Sequence, residues 1–177
     1  MARLKDGRNL KSMAVANKTS MPARKMGPSN KINIFISYSH ADEKWLELLK
    51  KHLKVLAKYS DNVDYWEDTK LRGGDKWREE ITKAIRRANV AILLVSTVFL
   101  ASDFIASDEL PPILRKAEVE GTRVLPLIVA PCAFELSEIC EFQAINSQDR
   151  TLADLMGDEG AINRIYLELI KNIQGLL

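Results

Sequence analysis

Hydrophobic positions along this chain alternate between short continuous runs and the three-and-four spacing of helices. In KINIFISYS, Ile32, Ile34, Phe35 and Ile36 form a β-rich run that ends at Ser37, predicting a strand buried on both faces. From Asp42 to Lys58, Trp45, Leu49, Leu53 and Leu56 recur at helical spacing while Lys50, Lys51, Lys54 and Lys58 fill the remaining surface, so a first amphipathic helix is expected. Val63 to Trp66 reads as a second short strand, and EDTKLRGGDK after it has the polar and glycine punctuation of a loop. The second helix opens at about Asp75 with a stripe of Trp77, Ile81, Ala84, Ile85 and Ala88, and leads into NVAILLVS, a third buried strand.

The second half is less regular. Ser102 to Glu120 is helical in composition but contains Pro111 and Pro112, which donate no backbone hydrogen bond, so the helix must kink there or start late. Thr122 to Val129 predicts a fourth strand, and Pro126 within it argues for a sheet edge or a bulge. A fifth short strand is expected near Phe142 to Ile145. The last helix is marked by Ile162, Ile165, Tyr166, Leu169, Ile170 and Ile173 on one face. Strands alternating with helices, several of them continuously apolar, predict a small doubly wound α/β domain with a parallel sheet covered on both sides. Ligands in such folds bind beyond the carboxyl ends of the strands, which directs attention to SYSHAD, EDTKLRGG and STVFLASDF.

Composition narrows the picture. With 177 residues, 46% hydrophobic and 28% charged, the chain suits one domain plus an appendage. No apolar run approaches a membrane span and no secretory signal is evident, so a cytoplasmic location without membrane contact is expected. Residues 1–30 hold seven Lys or Arg against Asp6, a charge of +6 that leaves −4 for the rest of a chain whose total is +2. This stretch has no sustained period and reads as a basic, flexible arm before a domain at 31–177. Its charge would attract nucleic acid or an acidic membrane surface, but no aromatic residue is interleaved for base stacking, so a solubilising leader is favoured over a nucleic-acid partner. Cys132 and Cys140 are read as reduced thiols without a catalytic role. The two histidines, His40 and His52, are isolated from any second ligand pair, so no metal site follows.

Three chemistries common in this architecture fail on the loops. A dinucleotide-binding turn needs GxGxxG after the first strand, where this chain has SYSHAD. A phosphate-binding P-loop needs GxxxxGK[ST], but Gly73 and Gly74 are followed by Asp75, Lys76 and Trp77. A phospho-accepting receiver would place carboxylates after strand one and at the end of strand three, where Ser37 and Ser96 stand.

The loops do resemble another family. KINIFISYSHAD looks like the first strand and following loop of Toll/interleukin-1 receptor (TIR) domains; DYWEDTKLRGGDKWREEITKAIRRA resembles their second strand, BB loop and second helix; and AILLVSTVFLASDFIASDEL resembles their third strand and the approach to the third helix. The resemblance implies a flavodoxin-like, five-stranded doubly wound parallel sheet. It also implies one of two occupations. Many TIR domains, including bacterial ones, cleave NAD to nicotinamide plus ADP-ribose or a cyclic isomer, often in antiphage defence or cell-death signalling; others scaffold signalling through TIR–TIR contacts alone.

In enzymatic members a glutamate of the third helix is essential, and motif position makes that residue Glu109. Cleaving the ribosyl bond develops an oxocarbenium-like cation that a carboxylate can stabilise, and nicotinamide leaves as a neutral molecule, so one carboxylate suffices. Without the family, Glu109 would read as a solvated helix residue. The resemblance further places Tyr38, Ser39, His40, Trp66, Glu67, Lys70, Ser102 and Phe104 around NAD, which is the substrate and not a bound cofactor. Trp66 fits the core as well as a ligand ring, and Lys70 fits solvent as well as a diphosphate. Self-association and an effector or sensor protein partner are also implied. Two departures stand out: Ile105 occupies the position of a family aromatic, with Phe104 one residue away, and Gly73 replaces a BB-loop proline.

Overall fold

A computed structural model describes residues 31–60, 62–67 and 75–177. The basic arm, Lys70 and the rest of the loop at 68–74, and the side chains of Glu67 and Trp77 lie outside the described residues. Four parallel strands, β1 (Ile32–Ser37), β2 (Val63–Glu67), β3 (Val90–Val95) and β4 (Arg123–Ile128), form a sheet in the order β2-β1-β3-β4. The helices are α1 (Glu43–Tyr59), α2 (Asp75–Arg87), the single turn α3 (Thr97–Leu100), α4 (Leu110–Glu120) and α5 (Glu159–Gln174). This is the flavodoxin-like doubly wound arrangement, whose strand order reverses between β1 and β3.

Side-chain alternation divides the strands between two apolar layers. Ile32, Ile34, Ile36 and Tyr38, with Val90, Ile92 and Leu94, face α1 and α5. Phe35, Ala91, Leu93 and Val95 face α2 and α4 with Ile81, Ile85 and Ile113. All of β3 is buried, as a strand covered on both sides requires. In the first layer the Tyr166 hydroxyl donates to the Trp45 carbonyl at 2.9 Å, and half-buried His52 stacks on the Tyr166 ring at 5.1 Å.

The prolines act at the start of α4. A π-helical turn, Ile105–Glu109, delivers the chain to Leu110, whose N–H bonds back to the Ile105 carbonyl, and Pro111 and Pro112 take the first positions of α4. A missing N–H costs little at a helix start, whereas an interior proline would break the ladder. Gly121 closes α4 at φ 72°, a left-handed conformation suited to glycine.

The fifth strand expected at 142–145 is not formed: the described residues contain four strands. Pro126 offers no N–H on the outer edge of β4, so a continuous ladder cannot grow there. A looser cover replaces it. The Ile145 N–H reaches the Pro126 carbonyl at 2.8 Å, and the Asn146 amide pairs with both the N–H and the C=O of Ile128 at 2.9 Å each, imitating one rung of a strand.

Candidate functional site

The carboxyl ends of β1 and β3 carry two buried carboxylates, each receiving a serine hydroxyl. In β1, Ser37 follows Phe35 on the α2–α4 side, where its hydroxyl donates to Glu109. Ser37 is 1% exposed and Glu109 4%. Ser96, extended just beyond β3, continues the alternation toward α1 and donates its hydroxyl to Asp42 at 2.6 Å, while accepting the N–H of Phe99 as the cap of α3. Ser96 is 3% exposed and Asp42 6%. The pairing is crossed: the serine of β1 meets a carboxylate that follows β3, and the serine of β3 meets one that follows β1. The two loops flanking the strand-order reversal are thus tied together, one pair on each face of the sheet.

Electrostatics set Asp42 apart from ordinary surface acids. Burial pushes the Asp42 carboxyl above its usual value, against the opposing pull of the Ser96 hydrogen bond and the Lys44 ammonium. Burial likewise raises the Cys132 thiol above its usual value, against the pull of a backbone hydrogen bond at Phe134, and the Asp42 charge adds to that rise. Asp108, next to Glu109, meets Arg78 of α2 at 4.0 Å on the exposed side of the π turn.

The residues anticipated around Glu109 separate into groups. Trp66 pairs in register with Phe35 and stacks on it at 5.4 Å, half-buried on the same face as Ser37 and Glu109. Phe104 packs half-buried against that layer, beside Ile105, which is in the core. Ser102 accepts the Ile105 N–H at 3.4 Å and so caps the π turn. Tyr38, in contrast, turns its ring into the α1–α5 layer, with exposed His40 edge-on to it at 5.7 Å. Ser39 is half-buried and its carbonyl accepts the Asp42 N–H at 2.7 Å. Asp42, Ser37 and Ser96 are the residues that sequence reasoning missed. The serines were legible only as the positions where a receiver domain would carry acids. Among the described residues no group of three or more His, Cys, Asp or Glu could hold a metal, Cys132 and Cys140 are free, and no helix is long and apolar enough to cross a membrane.

Comparison with known proteins fixes the family. The TIR domain model matches residues 34–166, from the middle of β1 into α5. The chain belongs to the TIR domain family. The uncharacterized protein y4lF of Sinorhizobium fredii is 28% identical to it over 113 residues, which cover 64% of this chain and 35% of that protein. The chain therefore spans about a third of the length of that curated relative. Among solved structures, the TIR domain of the Toll-related receptor TRR-2 from Hydra magnipapillata aligns over 80% of this chain and 97% of its own, at 14% identity and a TM-score of 0.46. Within this TIR domain, Ser37 and Glu109 stand at the reversal of strand order, where doubly wound folds place their ligands.

Proposed function

We propose that this TIR domain cleaves NAD at the bond between nicotinamide and ribose, with Glu109 as the catalytic carboxylate. The observation that supports the reading is the burial of Glu109 at the carboxyl end of the sheet with the Ser37 hydroxyl on its carboxylate. A charge kept from bulk water and fixed in direction acts strongly on positive charge developing nearby, because no solvent has to reorganise as the reaction proceeds. In the proposed step the bond from ribose C1 to the nicotinamide nitrogen breaks and its electron pair leaves with neutral nicotinamide. The cation left on the ribose is stabilised by Glu109 until water, or the adenine ring of the same molecule, supplies the new bond to C1. The incoming nucleophile's proton passes to solvent. The products are nicotinamide and ADP-ribose or its cyclic isomer, in a role such as antiphage defence or cell-death signalling.

A composite site completed by the BB loop of a second copy goes with this reading. Nicotinamide release should then rise more steeply than protein concentration across a dilution series, and strict proportionality would sink the composite site. The second reading, a scaffold acting only through TIR–TIR contacts and a protein partner, is favoured by Ile105: the position of the family aromatic is filled by an aliphatic side chain that is 4% exposed and belongs to the core. Absence of nicotinamide release from concentrated or crowded protein would select it.

A further inference from the structure

The mechanism above uses Glu109 and leaves a second buried acid unexplained. Asp42 is expensive: a carboxylate at 6% exposure loses most of its hydration, a cost the fold would avoid with a neutral side chain. It lies in neither the helix stripe nor the strand pattern, so core packing does not account for it. Its hydrogen bonds show what it holds. The Asp42 N–H closes the single 3₁₀ turn His40–Asp42 onto the Ser39 carbonyl, and its carboxylate takes the Ser96 hydroxyl from the far side of the strand-order reversal. At the other end of the same short stretch, Ser37 is tied to Glu109. Residues 39–41 therefore run between the buried Tyr38 ring and the Asp42 anchor, and both Ser37 and Asp42 reach into the segment that follows β3.

We propose that Asp42 is a positioning residue: through Ser96 it fixes Ser39 and His40 against the β3–α3 turn, and so sets the edge of the site against which NAD is held. The inference rests on the NAD-cleaving reading for its effect on turnover, and on geometry alone for its effect on His40. Asp42 touches neither Glu109 nor the reacting bond in this scheme. Its loss should therefore weaken substrate capture more than the chemical step, the opposite of what loss of Glu109 does.

The test compares Asp42→Ala, Ser96→Ala and the double variant with Asp42→Asn, which keeps an oxygen able to accept the Ser96 hydroxyl. Each single alanine variant should raise KM for NAD about tenfold with kcat changed by less than about threefold. The double variant should be no worse than Ser96→Ala, which removes the Asp42 contact together with the α3 cap that Ser96 gives the Phe99 N–H. Asp42→Asn should recover most of the loss. A second readout is the His40 imidazole proton signal, which senses the Tyr38 ring 5.7 Å away: it should move in both alanine variants and return toward its original position in Asp42→Asn. Should Asp42→Ala fail to fold, Ser96→Ala carries the test, because it leaves the acid in place. An unmoved His40 signal with an unchanged KM in Ser96→Ala overturns the proposal, as does a loss confined to kcat. A wild-type protein inert toward NAD overturns the enzymatic reading separately, and the His40 signal then decides the positioning role: movement upholds it, and no movement removes it.

Discussion

At the outer edge of β4, Asn146 turns a neutral amide inward and meets both backbone groups of Ile128; at the carboxyl ends of β1 and β3, Asp42 and Glu109 bring carboxylates inward to serine hydroxyls. Both regions turn polar side chains toward internal partners, the amide half-buried and the acids buried, and the physical return differs. The amide satisfies an N–H and a C=O that the absent fifth strand would have paired, so it completes the fold. The carboxylates carry charge, which costs far more to desolvate than an amide, and they connect loops instead of closing a ladder. A half-buried amide that matches backbone is structural; a buried acid at the reversal of strand order is where chemistry is expected.

Substitutions that act on one region and spare the other sharpen this contrast. The largest effect is expected from Glu109→Gln, which keeps size and hydrogen-bonding reach but removes the charge: nicotinamide release should fall at least about a hundredfold, from roughly 3 kcal/mol of lost transition-state stabilisation, with NAD binding and melting temperature nearly unchanged. Asn146→Ala should do the reverse. Leaving the Ile128 N–H without its partner should cost about 2 kcal/mol of stability in denaturant titrations, while activity per folded molecule persists. Equal loss of activity and stability in Asn146→Ala would erase the distinction between the regions. Ser37→Ala falls between them, with nicotinamide release reduced about tenfold and stability by about 1 kcal/mol, because the hydroxyl both orients Glu109 and satisfies it.

Smaller effects follow from pH and from a surface control. The carboxyl of Asp42 is raised in the folded protein, so its contribution to stability is full below the unfolded value and is lost as pH rises through the folded value. Melting curves of the wild type and Asp42→Asn, taken from acid toward neutral pH, should therefore diverge in favour of Asn. A difference of opposite sign would show that the ionised carboxylate is the better-held form. Glu118→Gln should change neither turnover nor stability, since Glu118 is exposed on α4 and its charge is screened by solvent.

The sequence predicts most of the fold because strong periodicity survives in it. The run ending at Ser37, the stripe of Trp45, Leu49, Leu53 and Leu56, and the apolar run before Ser96 each correspond to an element within a residue or two. Pro126 correctly marks a sheet edge, and the irregularity expected at Pro111 and Pro112 takes the form of the π turn just before α4. The expected strand at 142–145 fails for a reason already present in Pro126: an edge that cannot donate at its centre does not recruit a regular neighbour. The carboxylate pairs were illegible because each joins residues far apart in sequence, 72 positions for Ser37 and Glu109 and 54 for Ser96 and Asp42. Nothing local distinguishes a serine that ends a strand from one that reaches an acid. Asp42 reads simply as the beginning of a helix until the sheet order brings Ser96 above it.

The most direct test of the central claim is a proton NMR time course of NAD with the wild-type protein beside Glu109→Gln, both at high concentration. Free nicotinamide signals should grow with the wild type as the anomeric signal of the nicotinamide ribose declines, and should stay at the uncatalysed level with Glu109→Gln. Equal rates in the two samples, or unchanged NAD in both, would contradict the assignment of Glu109 as the carboxylate that cleaves NAD.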